Sequence, residues 1–163
     1  MQTSVPSTIR IRRAVAADLP AIRETHLASI RGLCADAYTP EQIERWTSNR
    51  ELERYAPLVT PRFHCLVGMD EAVLGGFGTL DLEKSEISSL FVRPDYAGAG
   101  LAGSLLKRLG SIARGEGLQV LSLESTVNAS RFYLKHGYRS LAPATKRFSN
   151  GLEIACFQMQ KPL

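Results

Sequence analysis

The segment from Ile87 to Leu106, ISSLFVRPDYAGAGLAGSLL, constrains the chain more than any other. An apolar run ends at Val92 and is stopped by Pro94. A loop carrying Gly98, Gly100 and Gly103 comes next, and the pattern from Leu101 onward is helical. Glycine has no Cβ, so the loop can take unusual dihedrals and its backbone can approach a ligand closely. The first amides of the succeeding helix lack intrahelical partners and carry the positive end of its dipole, which favours an anion there. The segment therefore reads as strand, pyrophosphate cradle and helix start, with no lysine required.

Two phosphate-binding folds fit this description. Gly98, Gly100 and Gly103 spell GxGxxG, and Glu124 lies about twenty residues further on, as a dinucleotide-binding fingerprint asks. Against this, Arg93, Pro94, Asp95, Tyr96 and Ala97 separate the strand from the first glycine. More than half of the chain also precedes the motif, and the C-terminal remainder is too short for the alternating parallel strands of a dinucleotide domain.

The same residues resemble more closely the acyl-CoA-binding segment of the GNAT acetyltransferase superfamily, in which V-x-P leads into Q/R-x-x-G-x-G/A and a helix with Leu-Leu. Val92, Pro94, Gly98, Gly100, Ala102, Leu105 and Leu106 match, whereas Ala97 replaces the Arg or Gln that heads the loop. With Ala97 there, pyrophosphate binding would lean on backbone amides. A second stretch, NASRFYLKHGY, resembles the family's N-x-x-A-x-x-F-Y-x-x-x-G-F through Asn128, Ala129, Phe132, Tyr133, Gly137 and Tyr138, with Asn128 closer to the aromatic pair than in that pattern.

The resemblance implies an α/β fold of α+β type. It would have a mixed, mostly antiparallel sheet of roughly six to seven strands and about four helices, with two central parallel strands splayed apart. Those strands would be 85–92 and 118–123. It further implies that Leu90, Phe91, Val92, Ala97, Gly98, Ala99, Gly100, Leu101, Ala102, Gly103, Asn128 and Tyr133 bind acetyl-CoA, the acyl donor, the pantetheine arm lying along the first strand like an added strand. Tyr133 would protonate the departing thiolate, and Glu86, at the head of that strand, would serve as base unless ordered water does. His26, Tyr38 and Trp46 fall in the region that lines the family's acceptor pocket. As residues alone, His26 on an apolar helix face and Trp46 also fit satisfied core positions, and Glu86 fits a solvated strand end.

The chain of 163 residues is long enough to bury one core without disulfides or metal, so a single domain spanning 1–163 is expected, with 1–7 flexible. Apolar residues make up 44% and charged residues 22%, which argues against disorder and against a fibre. The net charge of +4 is spread out, without the basic and aromatic stripe of a nucleic-acid binder, and suits anionic small ligands. Cys34, Cys65 and Cys156 match no zinc spacing and His26, His64 and His136 are dispersed, so no metal is expected and the thiols read as reduced packing residues. No apolar run suggests a signal peptide or a membrane span, leaving the cytoplasm as the expected location.

Along the chain, 8–13 alternates as a strand, and Asp18 with Pro20 opens a helix whose apolar face holds Leu19, Ile22, His26, Ile30 and Leu33. Thr39, Pro40 and Gln42 form a capping box before Ile43 and Trp46. Ser48 and Glu51 repeat the signal for a helix ending by Pro57. Residues 63–69 and 73–82 read as a hairpin in which Gly75, Gly76 and Gly78 suggest a bulge or close backbone approach. After the cradle helix, ended by Gly115 and Gly117, come a strand at 118–123, a short helix at 128–136, and a C-terminal hairpin turning at Asn150 and Gly151 that could pair across a homodimer.

Acyl transfer from a thioester to an amine needs a neutral amine, stabilisation of the oxyanion and a proton for the thiolate, but no covalent enzyme intermediate. The expected function is N-acetyl transfer from acetyl-CoA to a primary amine by direct attack in a ternary complex, by an acyl-CoA N-acyltransferase. A non-catalytic acyl-CoA-sensing or interaction module on the same fold, and a dinucleotide binder, are the alternatives.

Overall fold

A computed structural model describes residues 9–48 and 50–163. The flexibility expected at 1–7 and the first residue of the strand expected at 8–13 lie outside them. Seven strands form one sheet: β1 (Ile9–Arg13), β2 (Phe63–Asp70), β3 (Val73–Asp81), β4 (Glu86–Val92), β5 (Val120–Thr126), β6 (Arg139–Arg147) and β7 (Glu153–Pro162). Their order is β1-β2-β3-β4-β5-β7-β6, and every neighbouring pair is antiparallel except β4 with β5. One parallel pair in an antiparallel sheet is the splayed arrangement expected, and it excludes the doubly wound sheet of a dinucleotide domain.

Four α-helices flank the sheet: α1 (Leu19–Leu33), α2 (Pro40–Thr47), α3 (Leu101–Gly115) and α4 (Ser130–Lys135). Strand alternation sorts them onto two faces. Phe77 of β3 packs with Ile22 of α1. Its neighbours Gly76 and Gly78 turn the other way, where an added Cβ would stand 3.1 Å from Leu101 and 2.9 Å from Leu109 of α3. These glycines let α3 settle close on the sheet, which is the close approach their sequence suggested. Leu101, Leu105, Leu106 and Leu109 form its buried stripe against Leu80, Ile87, Leu121 and Met159.

Local signals behave unevenly. Thr39 caps α2 reciprocally: its Oγ1 accepts the Gln42 N–H at 3.1 Å, and Gln42 Oε1 accepts the Thr39 N–H at 3.0 Å. Asp18 does not cap α1. Its carboxylate closes a 3-10 turn at Ala16–Asp18 by accepting the Val15 N–H and a two-pronged bond from Arg12 at 2.8 and 2.9 Å, which holds the carboxyl below its ordinary pKa. The helix expected to end by Pro57 is a 3-10 segment, Leu52–Val59, with Pro57 inside it; proline cannot donate the bond that an α-helix would need there. The helix expected at 128–136 is α4 preceded by a 3-10 turn at Val127–Ala129. Among the described residues, no helix is long and apolar enough to cross a membrane.

Candidate functional site

Pro94 begins a 3-10 turn, Pro94–Tyr96, closed by the Ala97 N–H bonding the Pro94 carbonyl at 3.1 Å. The chain then reaches α3 through two left-handed positions, Gly98 at φ +76° and Gly100 at φ +87°. A residue with a Cβ would be strained at either. Gly100 is the N-cap of α3, and its carbonyl accepts the Ser104 N–H at 3.0 Å, so the amides of Leu101, Ala102 and Gly103 have no acceptor within the helix. Among the described residues, and apart from its two chain neighbours, no atom lies within 4 Å of where a Gly98 Cβ would stand. The loop is open toward solvent, as a cradle must be.

Beside it β4 parts from β5. The two strands share the register pair Glu86 and Ser122 and no other among the described residues. The Arg93 N–H bonds the Gly75 carbonyl at 2.8 Å, so alternation turns the backbone of Phe91 toward β3 and that of Leu90 and Val92 toward the gap. Free N–H and C=O groups therefore face the opening next to the α3 amides, as strand-like binding of an extended amide chain requires.

Two volumes meet at this opening. On the α3 side lies a cleft of about 770 Å³ lined by Val92, Gly98, Gly100 and the first turns of α3, with Phe132, His136 and Tyr138 beyond. Lys107, Arg114, Lys135 and Lys161 also line it. Sequence reasoning missed these cations, although the three- and four-residue steps from Gly103 through Lys107 and Gly110 to Arg114 mark one helix stripe. On the opposite face lies a pocket of about 70 Å³ lined by Leu90, Phe91, Tyr133, Trp46, Glu124, Lys146 and Cys156, with Ser88 and Ser89. Successive residues of β4 (Val92, then Phe91) and of α4 (Phe132, then Tyr133) line first one volume and then the other.

Tyr133 is 7% exposed, and its hydroxyl has no hydrogen-bond partner among the described residues. Burial pushes its pKa well above the ordinary phenol value, so it holds its proton at neutral pH. Glu86 is half-buried at the closed end of the split; burial first, and Glu124 second among the raising influences, lift its carboxyl above the ordinary value against the pull of Lys84 and Lys146. Glu86 lines neither volume. Glu124, which the sequence offered only as the acid of a dinucleotide-binding fingerprint, does.

The remaining expected site residues divide. Leu90, Phe91, Val92, Gly98, Gly100, Leu101, Ala102 and Gly103 line one volume or the other, and Ala97 and Ala99 flank the glycine turn without lining either. Asn128 points elsewhere: its Nδ2 donates to the Leu33 carbonyl at 3.2 Å, tying the β5 exit to α1. His26 is buried on Phe91 with ring centroids 4.4 Å apart, its Nδ1 2.8 Å from the Tyr55 hydroxyl, and burial lowers its pKa to about 3. Tyr38 is a latch, its hydroxyl donating to the Ala155 carbonyl at 2.6 Å and accepting the Val127 N–H at 3.0 Å. Of these three, Trp46 alone lines the smaller pocket.

The three thiols are free and buried, and burial raises the pKa of Cys34 to about 11 and of Cys65 to about 12. Cys156 sits 3.7 Å from a Glu124 oxygen, and burial raises its pKa as well. Protonated thiols of this kind are poor nucleophiles. The arrangement can hold an extended anionic donor on one face and present its reactive end, through the split, to a small pocket of mixed apolar and polar lining that holds the Tyr133 phenol.

A comparison with curated protein sequences gives no match. Among solved structures, a GCN5-related N-acetyltransferase from Rhodopseudomonas palustris is 29% identical, with 98% of each chain covered and a TM-score of 0.89. Two others share the fold: the PaiA N-acetyltransferase of Thermoplasma acidophilum in complex with coenzyme A, at 21% identity, with 95% of this chain and 99% of that one covered and a TM-score of 0.72; and the ribosomal-protein-S18-alanine N-acetyltransferase of Escherichia coli, at 20% identity, with 94% and 93% covered and a TM-score of 0.68. The family model described as an acetyltransferase (GNAT) domain matches residues 34–162, so the chain belongs to the GNAT acetyltransferase family.

Proposed function

We propose that the protein transfers an acetyl group from acetyl-CoA to a primary amine by direct attack in a ternary complex. The observation that carries this reading is the divergence of β4 from β5 beyond Glu86, which leaves the backbone of Leu90 and Val92 unpaired beside the open amides of α3. The diphosphate of CoA would lie on the amides of Leu101 to Gly103 and in the turn at Gly98 and Gly100, with Lys107, Arg114 and Lys135 within the same cleft for its phosphates. Pantetheine would run along Leu90 and Val92 and bring the thioester to Tyr133.

The amine nitrogen then attacks the thioester carbonyl carbon, and the C–S bond breaks as the tetrahedral adduct collapses. The thiolate takes its proton from Tyr133, whose raised pKa keeps that proton in place until the sulfur is charged. The ammonium proton leaves through Glu86 or through water near it. Tyr133 as donor accounts for a hydroxyl that has no hydrogen-bond partner among the described residues while its ring lines the small pocket.

Titrating the protein with CoA by calorimetry, followed by a thiol-release assay with acetyl-CoA and a panel of primary amines, tests the reading. Binding of CoA together with amine-dependent thiol release supports it. Absence of CoA binding would sink it, and binding without release for any amine would leave an acyl-CoA-sensing module instead.

A further inference from the structure

On the face opposite the CoA cleft, next to the small pocket, lies a second depression of about 280 Å³. Arg45, Arg50 and Arg54 line it, with Trp46 and Phe148 as its aromatic wall and Asn150 at its edge. Trp46 lines this depression and the small pocket alike. Lys146, a lining residue of the small pocket, places its ammonium 5.7 Å from the Phe148 ring centroid, and the Arg50 guanidinium stands 5.5 Å from the same centroid.

None of the three arginines has a carboxylate partner among the described residues. Arg45 donates to the Asn150 carbonyl at 3.1 Å, Arg54 to the Ser149 hydroxyl at 3.2 Å, and Arg50 through Nε to the Trp46 carbonyl at 3.1 Å. A guanidinium carries five N–H donors, so most of this donor capacity is unused. Arg50 is half-buried, and desolvation first, then the nearby charge of Arg54, works against its charged form. Three like charges gathered around a concave aromatic wall repel one another, and an anion held between them removes that cost.

We infer that the arginine cleft formed by Arg45, Arg50 and Arg54 binds an anionic group on the acceptor, so that the substrate is a small primary amine bearing a carboxylate or phosphate. The inference rests on the acetyl-transfer reading above and deepens it. The anion would sit among the guanidiniums, and the amine would pass Trp46 into the pocket where Glu124 offers a carboxylate and Tyr133 its proton. The site is separate from the diphosphate cradle, because Trp46 packs with Ile30, Tyr38 and Ile154 on the α1 side of the sheet, away from α3.

The test uses the full chain with CoA held at saturation, so that the α3 amides are already occupied. O-phosphoethanolamine and β-alanine are titrated by calorimetry and thermal unfolding, with ethanolamine as the amine that lacks an anion. The anionic pair is expected to bind and to raise the unfolding temperature, with ethanolamine at least about tenfold weaker. Arg50→Gln should weaken the anionic pair about tenfold. Arg54→Glu, at an exposed position whose side chain bonds only Ser149, should weaken them at least as much, with CoA affinity unchanged in both variants. Phosphate binding more tightly than carboxylate would point to a phosphorylated amine, and the reverse to an amino acid. Equal binding of ethanolamine, no binding of either anionic amine, or no effect of either variant overturns the inference. Failure of the acetyl-transfer reading itself would appear separately, as a wild-type protein that does not bind CoA.

Discussion

Glu86 and Ser122 are the pair at which β4 and β5 touch before they part. The Ser122 N–H donates to the Ser85 carbonyl at 3.1 Å and the Ser85 hydroxyl donates to the Val120 carbonyl, so the closed end of the split is clasped by backbone and hydroxyl groups, with the Glu86 carboxylate half-buried at its rim. An acid whose folded-state pKa lies above its unfolded value binds more protons when folded. Its stabilising contribution is therefore complete below the unfolded value and is lost as pH climbs through the folded one. At neutral pH the charged Glu86 weakens the fold, and Glu86→Gln should raise the unfolding temperature at pH 7 while making no difference near pH 4. If Glu86 takes the amine proton, the same variant should lower kcat/KM by at least about tenfold and remove an acid limb whose midpoint lies above the ordinary carboxylate value. A full pH profile of both proteins checks the two effects together.

Two buried tyrosines should answer oppositely to loss of a hydroxyl. Tyr133 has no partner to lose, so Tyr133→Phe should change stability by no more than about 0.5 kcal/mol and leave CoA affinity intact, yet cut kcat at least about a hundredfold. Denaturant melts, calorimetry and thiol release on one preparation make the comparison.

Tyr38 joins the Ala155 carbonyl to the Val127 N–H. Tyr38→Phe strands both main-chain groups and should cost about 1–3 kcal/mol, measured as a lower denaturation midpoint with an unchanged slope. An unaltered midpoint would mean that water replaces the hydroxyl and that the latch is dispensable.

The glycine turn was legible in the sequence because its requirements are local: Gly98 and Gly100 need positive φ and Pro94 ends a strand, whatever the rest of the chain does. The Thr39 box was legible for the same reason. Asp18 misled because Arg12, at the end of the preceding strand, offers a stronger partner than helix amides can, and a charged bidentate pair wins over a neutral cap. Asn128, matched by motif to a ligand contact, finds the end of α1 instead, a contact spanning most of the chain. The arginine cleft was invisible for that reason too. Arg45, Arg50 and Arg54 are unremarkable in a row, and only the turn at Phe148 to Asn150, about a hundred residues later, folds over them to make a pocket.

His26 is held neutral by burial, its pKa lowered to about 3 against an ordinary 6.5. The unfolded chain binds a proton there as pH falls below the ordinary value while the folded protein refuses it, so stability is lost on acidification. Each pH unit between those values should cost up to about 1.4 kcal/mol from this group. The His26 imidazole signal should stay fixed by NMR until the protein unfolds, and His26→Gln should flatten the acid side of the stability curve. An imidazole that titrates near its ordinary value in the folded protein would place water at the Tyr55 contact.

Gly98 and Gly103 separate the two ways in which a glycine can serve the cradle. An added Cβ at Gly103 would come 2.9 Å from His136 Nε2, and that ring is fixed by its Nδ1 contact with the Phe132 carbonyl at 2.9 Å and by a tilted contact with the Phe132 ring, centroids 4.5 Å apart. Gly103→Ala should push α4 from α3, with a loss of stability and a reshaped cleft. At Gly98 no atom of the described residues beyond its chain neighbours stands in the way, so Gly98→Ala costs only the strain of its left-handed backbone, about 1 kcal/mol of stability. Any weakening of CoA beyond that reports a ligand occupying the open space. Calorimetry with CoA and with dephosphorylated pantetheine should show Gly98→Ala weakening CoA by at least about tenfold while leaving pantetheine unaffected, because the missing partner is the diphosphate. Equal CoA affinity in Gly98→Ala and wild type would put the diphosphate elsewhere and remove the physical basis for reading this turn as its cradle.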